Sequence, residues 1–245
     1  MGSDGYISAS GASAQLRDLD VVANNLANVG TPGFKRSHSV FRTALEASLQ
    51  DAKGQAQPGA KASAFVSTDS VSSDFTRGSA EHTGSPLHAA IDGSGFFEVE
   101  TANGLRYTRA GNFMVNREGF LATPSGDAVM GQNGPIALLS SDSMIEPNGA
   151  IIDSVGNVAG RLKVVDFENP HALVREGESV FRGTPEAAQV DAVDPGFIPR
   201  SVETSNVQSS KELAAMVMLQ RAFETNLRAM QMNDETTQQL IEGIR

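Results

Sequence analysis

No cysteine occurs among the 245 residues. That excludes disulfides, thiolate metal sites and cysteine nucleophiles together. It also suits a chain that crosses compartments, because no thiol can be trapped by oxidation. Tryptophan is missing as well, so aromatic packing rests largely on twelve phenylalanines. No stretch reaches the roughly 20 apolar residues that a membrane-spanning helix needs. Met1 to Gly11 has neither the basic opening nor the apolar run of a cleaved signal peptide, and membrane insertion is not expected. Positive charge is scarce, with 19 Lys and Arg against 29 Asp and Glu. Nucleic acid is therefore a poor candidate partner, since neutralisation of phosphates drives that binding.

The acidic excess is confined to the middle. Residues 1–45 and 205–245 together sum to zero charge, and residues 46–204 hold the whole net −10. Neutral ends can pack against copies of themselves without long-range repulsion, while an acidic middle keeps the chain soluble. Catalytic patterns are thin. His38, His82, His88 and His171 show no metal-ligand spacing. Gly93-Ser94-Gly95 lacks the frame of a hydrolase elbow because Asp92 takes the first slot. No carboxylate pair stands out as acid and base. No catalytic, cofactor or metal residue is predicted.

Two apolar stripes at helical spacing lie at opposite ends. Ala12, Leu16, Leu19, Ala23 and Leu26 recur at four and three, predicting a helix from about Ser8 to Asn28. Thr31-Pro32-Gly33 ends it, and Pro-Gly favours a type II turn. Leu213, Met216, Leu219, Phe223, Leu227 and Met230 repeat likewise, extended by Leu240 and Ile241 up to Gly243. Ser209 and Glu212 fit a capping box at that helix's start. Residues 46–85 read as an extended connector, with short strands around Phe65, Val66, Val71 and Phe75. From Pro86 to Pro199 the signals are all β. Asn103-Gly104, Arg117-Glu118-Gly119, Asn133-Gly134, Asn148-Gly149 and Gly156-Asn157 separate short apolar runs, as hairpin turns do, and Arg161 to Phe167 alternates like one half-buried strand.

These segments carry a resemblance. Asn24-Asn25-Leu26-Ala27-Asn28-Val29-Gly30-Thr31-Pro32-Gly33-Phe34-Lys35-Arg36 closely resembles the N-terminal signature of flagellar rod and hook proteins. Ser205-Asn206-Val207 and Gln220 to Asn226 resemble that family's closing motif. Ala90-Ile91-Asp92-Gly93-Ser94-Gly95-Phe96-Phe97 and Tyr107-Thr108-Arg109-Ala110-Gly111-Asn112-Phe113 resemble two of its strands. Gly131 to Ile136 and Gly160 to Phe167 are most similar to proximal-rod members, with distal-rod members close behind.

The resemblance implies an α+β protein that polymerises and has no enzymatic chemistry. Long N- and C-terminal helices (1–35 and 205–245) would pair as a coiled-coil-like tube domain. A connector (36–83) would lead to a central all-β barrel or sandwich (84–204). Implied partners are the chain itself, other proximal and distal rod subunits, and the flagellar type III export apparatus. The implied location is the basal-body rod across the periplasm. Leu16, Leu19, Asn24, Asn25, Leu26, Asn28, Phe34, Lys35, Leu213, Met216, Arg221, Phe223, Asn226, Leu227 and Met230 are expected at assembly interfaces. A distal-rod subunit, a secreted β-domain enzyme with helical arms, and a monomeric binding module are the competing readings.

Overall fold

The computed structural model describes residues 3–45, 64–138, 142–153, 155–192 and 195–242. They form two units. The first comprises Met1–Leu26, Ser37–Ser72 and Gln208–Arg245; the second comprises Ala27–Arg36 and Ser73–Val207. The β unit thus takes in more chain at both ends than the expected 84–204. Residues 46–63 of the expected connector lie outside the described residues, as does Gly243.

In the first unit, helix α1 spans Ser3–Ala27 and α2 spans Ser209–Glu242. Strands β1 (Ser37–Leu45) and β2 (Ala64–Ser73) form a two-stranded sheet. Two contacts tie the helices together. Asn226 Nδ2 donates to Gln15 Oε1 at 3.0 Å, and Asn25 Nδ2 donates to Glu212 Oε2 at 3.3 Å. Advancing along α1 means retreating along α2, so the pair is antiparallel. The start of α2 is one residue earlier than the expected capping box requires. Lys211 and Glu212 both donate backbone N–H groups to Gln208 O, at 3.0 and 3.1 Å, which puts Gln208 before the first turn. Glu212 instead lies one place further into the helix, buried beside Asn25.

In the second unit the strands are β3 (Ala80–His82), β4 (Ala89–Asp92), β5 (Phe96–Thr101), β6 (Gly104–Thr108), β7 (Met114–Val115) and β8 (Leu121–Ala122). Next come β9 (Ala128–Gly131), β10 (Gly134–Pro135), β11 (Met144–Ile145), β12 (Ala150–Ile152) and β13 (Val158–Arg161). The last are β14 (Val164–Phe167), β15 (Val174–Arg175), β16 (Val180–Arg182), β17 (Gln189–Asp191), β18 (Gly196–Pro199) and β19 (Ser201–Glu203). The main sheet has ten strands, with β15-β16-β6-β5-β9-β8-β7 as its spine and β10, β14 and β17 as branches. The run predicted as one strand from Arg161 to Phe167 is broken. Leu162 N–H turns aside to Gly149 O at 2.8 Å, and β14 begins two residues later.

The spine does not close on itself among the described residues, so the expected barrel is replaced by an open sheet. The physical reason lies in adjacent side chains. Along a strand, neighbours point to opposite faces. Phe97 and Val164 enter one apolar cluster with Leu121, Val129 and Ile151. Phe96 and Val165 enter a second with Tyr107, Phe167 and Phe181. Each face is covered, so no apolar face is left for closure to bury.

One turn type recurs. At Asn116–Phe120, Thr123–Asp127, Glu146–Ala150 and Asp153–Asn157, the fourth residue is glycine at φ +84°, +95°, +76° and +94°. Its N–H donates to the first residue's carbonyl, and the first residue's N–H donates to the fifth's. This is a three-residue hairpin loop, a turn followed by a left-handed glycine. The first residue's side chain often supports it. Asn116 Oδ1, for example, accepts from Glu118 N and Phe120 N at 3.0 and 2.9 Å.

Phe97 should carry the largest single share of packing in the β unit. It is fully buried, edge-on to Phe113 at 4.9 Å and stacked on Phe197 at 6.2 Å. Phe97→Ala is expected to cost about 3–5 kcal/mol in denaturant unfolding. Val155→Ala, at an 82% exposed position, should stay within about 0.5 kcal/mol.

Candidate functional site

The segment following α1 folds as its composition dictates. Phe34 N–H donates to Thr31 O at 3.2 Å, with Pro32 and Gly33 between them and Gly33 at φ +70°. This is the type II turn that Pro-Gly favours. Gly33 N–H also donates to Glu203 O at 2.8 Å. A Cβ at Gly33 would overlap the backbone of Arg109 and Ala110. Glycine is required here for both its φ and its lack of bulk.

The next two residues turn inward. Phe34 is fully buried under the Arg175 guanidinium, 4.6 Å from its ring centroid. Arg175 also covers Phe181 at 4.9 Å, donates to Ser73 Oγ at 3.1 Å and reaches Lys35 O. Lys35, with a side chain 1% exposed, donates to Glu203 Oε1 at 2.6 Å and to Thr76 O at 2.8 Å. Arg109 meets the other carboxylate oxygen, Oε2, at 3.3 Å and donates to Gly93 O at 3.0 Å. Gly78 N–H completes Glu203 Oε1 at 2.9 Å. Asn206 is a second staple. Its Oδ1 accepts from Arg36 N at 2.7 Å, and its Nδ2 donates to Asp74 O at 2.9 Å and Thr76 O at 3.1 Å.

Glu203 is thus one buried carboxylate between two buried cations. Burial pulls the Lys35 ammonium below its ordinary pKa, and the attraction of Glu203 offsets only part of that. Arg109 is lowered for the same reason, and Arg175 falls to about 10 through burial. Three donors, from Lys35, Gly78 and Arg109, hold this buried carboxylate in place. What the cluster does is mechanical. It fixes the stretch leaving α1 against the stretch entering α2. Among the described residues no group of His, Asp or Glu could hold a metal ion.

The residues expected at assembly interfaces divide into two sets. Phe34, Lys35, Asn25 and Asn28 are buried within this chain. Asn25 grips both backbone groups of Ser37, donating to its O and accepting from its N at 2.8 Å each. Asn28 Oδ1 accepts from Thr31 Oγ1 at 3.1 Å. Their polar and apolar surfaces are already consumed by internal partners. Leu16, Asn24, Leu213, Arg221 and Leu227 are exposed; Leu19, Leu26, Met216, Phe223, Asn226 and Met230 are half-buried. Sequence reasoning missed Glu203 and Arg175. Arg109 and Asn206 stood inside noticed motifs, but nothing local marks Glu203 as the partner of a lysine 168 positions away.

Three family models match the chain: "Flagella basal body rod protein" over residues 6–35, "Flagellar hook protein FlgE/F/G D1 domain" over 90–159, and "Flagellar basal body rod FlgEFG protein C-terminal" over 198–242. The chain is 30% identical to the flagellar basal-body rod protein FlgF of Caulobacter vibrioides over 241 residues, covering 98% of this chain and 96% of the relative. It is 35% identical to FlgG of Agrobacterium fabrum over 248 residues, covering 94% of each. Against FlgG of Bacillus subtilis it is 30% identical over 259 residues, covering 96% and 97%.

Glu203→Ala should destabilise the β unit by about 3–5 kcal/mol, because two buried cations lose their counter-charge. Lys35→Met should cost less, since Arg109 still holds the carboxylate. The lysine also imposes a pH dependence. Between its lowered folded pKa and the ordinary value of 10.5, the unfolded chain binds more protons, so stability from this site rises with pH in that window. Wild type should therefore gain on Lys35→Met as pH rises toward 10.5 in chemical denaturation; a gap that does not change below that pH would refute this origin.

Proposed function

Because the chain belongs to the flagellar basal-body rod protein family, we propose that it is the FlgF-type, proximal subunit of the rod and assembles through its terminal helices. It is a structural component of the rod, not an enzyme, and its place is the flagellar basal body. The observation that carries the assembly reading is the surface of α2. Among its described side chains only Glu212 is buried. At about 100° per residue, Met216, Phe223 and Met230 form one stripe, all half-buried. Leu213, Val217 and Leu227 form a neighbouring stripe, 50%, 48% and 41% exposed. A helix with such a face gains stability mainly from tertiary or subunit packing. On α1, Leu16 is likewise 46% exposed. In a helical polymer these faces meet different faces of sister subunits without closing a ring. The implied tube is a coiled-coil-like layer of terminal helices.

The alignment supports the FlgF-type assignment. The match to the Caulobacter FlgF needs 241 positions to cover 98% of this chain, hence almost no gaps. The FlgG match needs 248 positions for 94%. Its higher identity is the observation favouring a distal, FlgG-type subunit as the second reading. The same proposal takes the chain to the periplasmic span of the rod through the flagellar type III export apparatus. Freedom from cysteine supports this route.

Two experiments test these points. Leu213→Asp and Leu227→Asp should leave the soluble chain's stability within about 0.5 kcal/mol yet abolish motility and rod assembly in a strain relying on the variant. Undiminished swimming would remove the helices from the interface. In basal bodies isolated after deletion of the gene, the FlgG-type protein should be missing together with this chain. A rod stub that lacks only its outermost segment would favour the distal reading.

A further inference from the structure

Three Asn-Gly pairs lie in the β unit, at Asn103-Gly104, Asn133-Gly134 and Asn148-Gly149. All three asparagines are exposed, and all three glycines have positive φ, at +96°, +112° and +76°. By sequence they are equivalent. By surroundings they are not.

Asn148 is held at every atom that matters. Its Oδ1 accepts from Ala150 N at 2.7 Å, and its Nδ2 donates to Glu146 Oε2 at 3.3 Å. Gly149 N–H is engaged with Glu146 O at 2.9 Å. Gly149 is itself buried, and a Cβ there would overlap the Phe197 ring. Moving this turn means disturbing a core phenylalanine. Asn133 differs in its side chain, although Gly134 is paired with Gly131 as Gly104 is with Thr101. Gly134 has nothing within 4 Å of where a Cβ would sit, and the Asn133 amide has no partner among the described residues. Asn103 is similar. Its backbone N–H is fixed by Thr101 Oγ1 at 3.2 Å, its side-chain amide has no described partner, and the nearest atom to a Cβ on Gly104 is Arg106 NH1 at 3.8 Å.

We propose that Asn133 and Asn103 are sites of spontaneous, structure-selected modification to aspartate and isoaspartate, and that Asn148 is protected. The glycine amide nitrogen attacks the asparagine Cγ. A new C–N bond closes a five-membered succinimide, the Cγ–Nδ2 bond breaks, and the nitrogen leaves as ammonia carrying the proton lost by the glycine amide. Water then opens the ring at either carbonyl. One product is aspartate; the other has its backbone rerouted through the side chain. Each event exchanges ammonia for water and adds one negative charge to a unit already acidic. The required motion is local opening of a hairpin tip, which solvent-exposed turns allow and packed ones resist. Glycine sets the pace because no side chain shields its nitrogen.

The test is peptide mapping by mass spectrometry on the purified full chain, incubated in mildly alkaline buffer made with oxygen-18 water. Heavy-oxygen incorporation should appear at Asn133 and Asn103, with both isomers resolved. Asn148 should lag by about tenfold or more, the protection expected of a turn that opens rarely. In denaturant the three rates should converge. Glu146→Ala frees the Asn148 amide and should raise its rate in the folded chain while leaving Asn133 unchanged. Equal rates at all three sites in the folded chain, or faster conversion at Asn148 than at Asn133, would overturn the proposal. So would a difference that persists in denaturant, because sequence rather than structure would then set it.

Discussion

The β unit depends on a carboxylate that has no business being buried alone. Glu203 sits out of water between Lys35 and Arg109, and each of the three would be costly there without the others. Their geometry explains why separate stretches of chain must meet. Lys35 comes from the turn after the first helix, Arg109 from the end of a central strand, and Glu203 from the strand before the last helix. Gly93 contributes a carbonyl and Gly78 an amide. A buried cluster of this kind adds less to net stability than to uniqueness, since a chain in another register leaves a charge unpaired.

Around that cluster the packing is simpler. The central sheet separates two apolar clusters, and neighbouring residues such as Phe96 and Phe97 serve one each. Arg175, over both the Phe34 and Phe181 rings, couples the charged cluster to the second of these. Its guanidinium offers an aromatic-compatible face along with donors at its edge. A lysine there would keep the charge and lose the stacking.

Much of this was readable in the chain, and the unreadable parts share a cause. Helix periodicity placed both terminal helices, and Pro32-Gly33 located the turn after the first. Asn103-Gly104 and Arg117-Glu118-Gly119 marked hairpins that form where expected. Local chemistry decides such features, so a local reading finds them. The fate of Asn25, Phe34 and Lys35 was not local. Their partners include Ser37, Glu212, Arg175 and Glu203, and only the tertiary fold brings Lys35 to a residue 168 positions away. Within this chain, Asn25, Phe34 and Lys35 of that motif have internal partners. The open sheet was also out of reach, because alternation shows that a strand has two faces but not what covers the second.

The fastening has a consequence for load. Gly33, just past one helix, and Glu203, just before the other, are joined by a single backbone hydrogen bond of 2.8 Å. A push arriving along one entry and a pull along the other therefore act on the β unit at nearly the same spot. Opposed forces with almost no moment arm between them neither twist nor pry the unit open.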